Sequence, residues 1–127
     1  MTLPENVNED LARLRGWEAD GRKWWRWITK QGSGGPYDEH QVCDDCPDMT
    51  TPDAMVDLLE FCWKRGLHYS LDSYLRPGKI HCYVFSLEDE EVAGDCEADT
   101  LPEAVALAVH AVMKYLTEKE QHNGKDT

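Results

Sequence analysis

Ile80-His81-Cys82-Tyr83-Val84-Phe85 decides the fold. Ile80, Cys82 and Val84 hold one set of alternate positions, and His81, Tyr83 and Phe85 hold the other. Successive side chains of a strand point to opposite faces. This segment is therefore apolar or aromatic on both faces, as a central strand should be. Just upstream, Pro77-Gly78 supplies a turn, Pro presetting φ and Gly accepting a positive φ. Before that turn, Leu67, Tyr69, Leu71 and Leu75 alternate with His68, Ser70, Asp72 and Tyr74, which predicts a partner strand. Downstream, Glu88 to Glu91 form an acidic tip, and Val92 to Ala98 read as a third, weaker strand. Three strands in a meander follow from this core.

Helices flank the meander. Thr51 is placed to cap a helix, with Pro52 at the first helical position and Asp53 complementing the helix dipole. Met55, Leu58, Leu59 and Cys62 line one face of it, and Gly66 ends it. After the meander, Thr100 and Glu103 make a capping box. Leu101, Val105, Ala108, Val112 and Leu116 give that helix its core stripe, to about Thr117. Ala104, Leu107, Val109 and Ala111 widen the apolar surface, so the helix is expected to be buried on more than one side. Near the start of the chain, Asn6 and Glu9 suggest a capping box for a short helix with Val7, Leu11 and Leu14 on one stripe, stopped at Gly16. Glu18 to Gly21 read as a turn. Lys23 to Ile28 read as a short strand in which Trp25 and Trp27 share one face and Trp24 takes the other.

The prediction is an α+β fold: a small, mainly antiparallel sheet, made of the meander plus a short N-terminal strand and layered with two or three helices. At 127 residues a single domain over 1–127 is expected. Residues 30–51 lack any apolar period and read as a flexible acidic loop, and 118–127 read as a frayed polar tail.

The charge is unevenly spread. Formal net charge is −12, and every lysine and arginine falls outside residues 31–63 and 80–113, each of which carries eight acids. Such a chain repels nucleic-acid phosphates and anionic membranes. No apolar run reaches the roughly 18 residues of a membrane span, and Met1 to Asn8 do not form a secretory signal. The expected location is the cytoplasm, with the five cysteines reduced.

A short helix ending Leu14-Arg15-Gly16-Trp17, a tryptophan strand around Trp25, a proline-initiated helix after a polar loop, and Ala98-Asp99-Thr100-Leu101-Pro102-Glu103-Ala104 leading into an alanine-rich helix occur together. The ensemble, over roughly residues 9–116, resembles the phage ABA-sandwich (BC1872-like) family of small phage proteins. The resemblance implies a tailed-phage or prophage origin in a bacterial host and helices packed about a small sheet. It implies no activity and no catalytic residues. Gly32 to Pro36 and the Cys43/Cys46 pair depart from the family pattern.

Three constellations are candidates for chemistry. Cys43-Asp44-Asp45-Cys46 has the spacing of half a zinc site, which His40, Cys62, His68 or Cys96 could complete. No second Cys-x-x-Cys pair accompanies it. Arg22, Lys23, Trp24, Trp25, Arg26, Trp27 and Lys30 interleave bases with aromatics, the pattern of a stacking platform or a protein-binding anchor. Asp95, Glu97 and Asp99 alternate on one strand face and could hold a divalent cation, although a charge-guarded edge strand is the simpler account. The glycines at 32–35 lack the Gly-Lys-Ser/Thr ending of a phosphate loop. His81 and Cys82 are adjacent on a strand and cannot form a dyad.

The function expected from the sequence is a non-enzymatic phage accessory protein that binds another protein and needs no cofactor. Its contact residues would be Trp24, Arg26 and Trp27 with the acids Asp44, Asp45, Asp48, Glu88, Asp89, Glu90 and Glu91. In its sharper form it inhibits a host nucleic-acid-binding or defence protein by imitating the negative field of DNA. The alternative is a small zinc module or metal-dependent enzyme on Cys43, Cys46 and His40.

Overall fold

The computed structural model describes residues 3–73 and 76–125. The predicted strand positions Tyr74 and Leu75 lie outside the described residues. The chain divides into two compact units, one from Pro4 to Met49 and one from Thr50 onward, where length alone suggested one domain. Each unit has a three-stranded antiparallel sheet, and the fold is α+β.

The N-terminal unit begins with α1 (Glu5–Leu14), followed by β1 (Glu18–Asp20), β2 (Lys23–Gly32) and β3 (Gly35–Cys43) in the order β1-β2-β3. Val7, Leu11 and Ala12 of α1 are buried, as the apolar stripe requires. The predicted capping box does not form: α1 starts at Pro4 with no side-chain cap, and Asn6 lies inside the helix. Asn8 has another task. Its amide donates to the carbonyl of Pro47 (2.6 Å) and to the Cys46 thiol (3.3 Å), and its Oδ1 accepts from the Met49 N–H (2.8 Å).

These bonds correct the flexible-loop expectation for residues 30–51. Residues 35–43 are a strand paired along its whole length with β2, from Gly32↔Gly35 to Trp24↔Cys43. Residues 46–49 are pinned to α1, and Met49 is buried. The predicted turn at Glu18 to Gly21 is likewise the strand β1 followed by a tight reversal, in which Gly21 takes φ +66°. A glycine at the first central position is what a two-residue hairpin loop of matching twist demands.

The second unit holds α2 (Pro52–Lys64), β4 (Leu67–Asp72), β5 (Ile80–Ser86), β6 (Ala93–Ala98) and α3 (Leu101–Lys125). β5 is central, as its two apolar faces predicted. Cys82 and Val84 are fully buried, and α3 packs on their side of the sheet, across β5 and β6. At both helix N-termini the sequence reading holds. Thr51 Oγ1 accepts from the Ala54 N–H (3.2 Å), and Thr100 Oγ1 accepts from the Glu103 N–H (3.4 Å). α3 continues to Lys125, so the frayed tail predicted from 118 is helical over most of its length. Among the described residues no helix is long and apolar enough to cross a membrane.

The Thr51 cap satisfies one of the orphan N–H groups of α2. Thr51→Ala is expected to lower stability by about 0.5–2 kcal/mol, and Thr51→Ser to restore most of it. Urea denaturation followed by far-UV circular dichroism measures both. Equal midpoints for the three proteins would contradict a capping role.

Candidate functional site

Strand alternation sorts the β2–β3 hairpin into two chemically different faces. Trp24, Arg26, Ile28 and Lys30 share one face with Tyr37, Glu39, Gln41 and Cys43 of β3. On this face Trp24 is buried, with the Arg13 guanidinium of α1 over its ring at 5.0 Å. Arg26 Nε donates to Gln41 (2.8 Å), Nη1 donates to the carbonyl of Arg15 (3.2 Å), and the guanidinium lies 4.7 Å from the Trp17 ring centre. Lys30 Nζ sits 2.9 Å from the Glu39 carboxylate, which raises its pKa by hydrogen bond and field. Trp24 and Arg26, expected as partner contacts, are framework residues.

The other face carries Lys23, Trp25, Trp27 and Thr29 from β2, Asp38, His40 and Val42 from β3, and Glu18 and Asp20 from β1. Trp27 is 62% exposed and Val42 52%. Trp27 stacks on His40 with ring centres 4.6 Å apart, and Trp25 lies 5.8 Å from the same imidazole. Together Asp20, Lys23, Trp25, Trp27, His40 and Val42 line a shallow hollow of about 360 Å³. Its floor is aromatic and its rim is charged.

The predicted metal set is not assembled. His40 faces the hollow, whereas Cys43, three residues on, faces the buried side opposite Trp24. The Cys46 thiol is occupied by Asn8, and burial is the first cause of its raised pKa. Among the described residues no group of three or more His, Cys, Asp or Glu is placed to hold a metal ion. The other thiols with a resolved shift are also held protonated by burial: Cys82 is pushed up to about 12 and Cys96 is raised.

The predicted acidic contacts divide. Asp44, Asp45 and Asp48 are exposed beyond β3. In the β5–β6 turn, Ser86 Oγ accepts from the Glu88 and Asp89 N–H groups, and Asp89 Oδ1 accepts from the Glu91 N–H. Glu91 also accepts from the Tyr115 hydroxyl (3.3 Å). The Asp89 carboxylate thus serves the turn and that of Glu91 meets α3, while Glu88, Glu90 and Glu91 are all exposed. The alternating acids at 95–99 do not converge on a cation site, because each has its own partner. Asp95 bonds His81, Glu97 pairs with Arg76 (3.6 Å), and Asp99 pairs with Lys79.

No family model, curated protein or solved structure matches the chain. The hollow on the hairpin is therefore judged by its own chemistry. Sequence reasoning named Trp27 for partner contact, put Trp25 on the same face and named His40 for metal, but it missed Val42 and the β1 acids as their neighbours. The available signal was the two-residue loop at 33–34. Once β3 is accepted as a strand, that loop places His40 opposite Trp27 and Val42 opposite Trp25.

His81 forms a separate electrostatic group in the second unit. Its Nε2 lies 2.6 Å from Asp95 Oδ1, and its Nδ1, buried and with no hydrogen-bond partner among the described residues, lies 3.8 Å from Asp72 Oδ2. The Asp95 hydrogen bond, aided by the fields of both carboxylates, raises the imidazole pKa above 6.5 despite burial. A raised folded-state pKa stabilises the fold fully below the unfolded value of about 6.5, and the gain is lost as pH rises through the folded value. NMR titration of the imidazole is expected to show a pKa above 6.5 that falls in Asp95→Asn. An Asp95→Asn titration identical to wild type would contradict this.

Proposed function

We propose that this chain is a non-enzymatic protein-binding module, of phage or prophage origin, and that it meets its partner through the outer face of the β2–β3 hairpin. The observation that carries the proposal is Trp27, 62% exposed beside Val42 in an aromatic hollow. A tryptophan left this exposed does little for the fold, whereas aromatic anchors in small hollows dominate protein interfaces. The exposed carboxylates of Asp44, Asp45, Asp48, Glu88 and Glu90 belong to a chain of net charge −12, which favours encounter with basic partners. In the sharper form the partner is a host nucleic-acid-binding or defence protein.

Cross-linking tests the proposal. Protein carrying a photoactivatable side chain at position 42 is irradiated in extracts of infected or lysogenic cells. One adduct is expected, competed by unmodified protein and lost when Trp27→Ala is added. The sharper form further requires that added DNA displace the partner and that adduct yield fall steeply with salt. An adduct indifferent to Trp27→Ala, or no competed adduct at all, refutes the proposal.

A further inference from the structure

We infer that the hairpin hollow takes an organic cation carried on an extended peptide: an arginine guanidinium laid over Trp27 and Trp25. The inference rests on the protein-binding proposal and specifies which chemistry of partner that face recognises.

The floor supplies the first argument. Aromatic faces are negative at their centres and attract cations, most strongly when the cation is weakly hydrated. Trp27 and Trp25 both flank His40, so the three rings give one broad apolar surface, with Val42 beside them. A guanidinium is planar and sheds water more easily than a plain ammonium, and methylation makes an ammonium similarly soft.

The rim supplies the second argument, independent of the rings. β1 pairs with β2 so that Glu18 stands opposite Trp25 and Asp20 opposite Lys23, on the face of the hollow. Asp38 pairs with Thr29 on that same face, accepting from its hydroxyl at 2.8 Å while the rest of the carboxylate remains exposed. Asp20 lines the hollow with Lys23, and Glu18 and Asp38 flank it on the same sheet face, so among the described residues of that face carboxylates outnumber the ammonium. A nucleic-acid strand could stack its bases on Trp27, but its phosphates would meet those carboxylates. A neutral apolar chain would use the floor and leave the rim unanswered. An organic cation uses both. β3 is also an edge strand of its sheet, where an extended peptide can add by main-chain hydrogen bonds.

Four short peptides with blocked termini, alike except at one central residue, test the inference: arginine, trimethyl-lysine, lysine and citrulline. Citrulline keeps the shape of arginine without its charge. Affinities are read from tryptophan fluorescence and from the Trp27 indole N–H signal. The arginine peptide should bind at least tenfold tighter than the lysine and citrulline peptides, and a trimethyl-lysine peptide that binds tighter than arginine would overturn the assignment of the guanidinium. Trp27→Ala, checked for retained circular dichroism, should weaken binding at least tenfold. The Glu18→Gln, Asp20→Asn double variant should weaken it several-fold.

Equal binding of arginine and citrulline peptides would overturn the inference in favour of neutral docking. Binding that ignores Trp27→Ala would reduce it to bulk attraction by an acidic chain. Tighter binding of an oligothymidylate, or no binding of any peptide at millimolar concentration, would also overturn it. A cross-linked partner that depends on Trp27, with no cation preference among the peptides, would sink this inference and leave the protein-binding proposal standing.

Discussion

Replacing Gly94 by alanine is expected to destabilise the protein by about 1–3 kcal/mol, and replacing it by valine to cost at least as much. Gly94 lies on β6 opposite Val84, on the sheet face that α3 covers. A Cβ there would sit 2.5 Å from the Ala108 carbonyl oxygen, 2.6 Å from a Val112 methyl and 3.0 Å from the Val112 nitrogen. Two of those three atoms are helix backbone, so no side-chain rotation relieves the clash, and α3 must move away from the sheet. Moving it loosens the contacts of Val105, Ala108, Val109 and Val112, all fully buried. Gly34→Ala is the matched control, because a Cβ at Gly34 meets nothing within 4 Å and φ there is not positive. Its midpoint should stay within about 0.5 kcal/mol of wild type. Thermal unfolding by circular dichroism compares the two. Coincident melting of Gly94→Ala and Gly34→Ala would show that the helix does not approach the sheet as closely as these distances state.

Gly94 also shows what was legible in the sequence. The alanines at 104, 108 and 111 announced a helix buried on several sides, and alternation at 80–85 announced the strand it covers. The close approach itself had no local signature, since a glycine in a weak strand pattern reads equally as a strand ender. The second unit was readable because each element carries its own period and its own cap: Thr51 with Pro52, Thr100 with Glu103, Pro77-Gly78 between strands. The hairpin of the first unit was not readable by the same means. Along Pro36-Tyr37-Asp38-Glu39-His40-Gln41-Val42, neither face has the apolar run that marks a half-buried strand, because one face is exposed and the other is largely occupied by polar pairs, Arg26 with Gln41 and Lys30 with Glu39. β3 exists through its pairing with β2, which is non-local information. Period-based reading therefore left a loop there, and the hollow, which needs both strands, disappeared with it. The same gap explains the zinc expectation: spacing alone put His40 near Cys43, whereas a strand puts them on opposite faces.

Trp24→Ala is expected to cost about 3–5 kcal/mol, the ordinary loss for a buried tryptophan, against total stabilities of about 5–15 kcal/mol for domains in general. Trp24 is 5% exposed, and Arg13 of α1 lies over its ring. Removing the indole empties that volume and leaves the guanidinium without its aromatic partner. Trp27→Ala, three residues along the same strand, should cost about 1 kcal/mol or less, because the ring contact it loses among the described residues is the exposed stack on His40. The two substitutions are chemically identical and nearly adjacent, so any difference between them reports the faces of the strand. Urea midpoints give the stability and cross-linking from position 42 gives the binding. Trp24→Ala should melt far below wild type. Trp27→Ala should melt close to wild type and lose the partner. If instead both variants lost several kcal/mol, the hollow would be part of the folded core, and its exposure could no longer be taken as the mark of a binding surface. If neither did, Trp24 would not be the pivot between α1 and the hairpin, and the assignment of the two faces would fail with it.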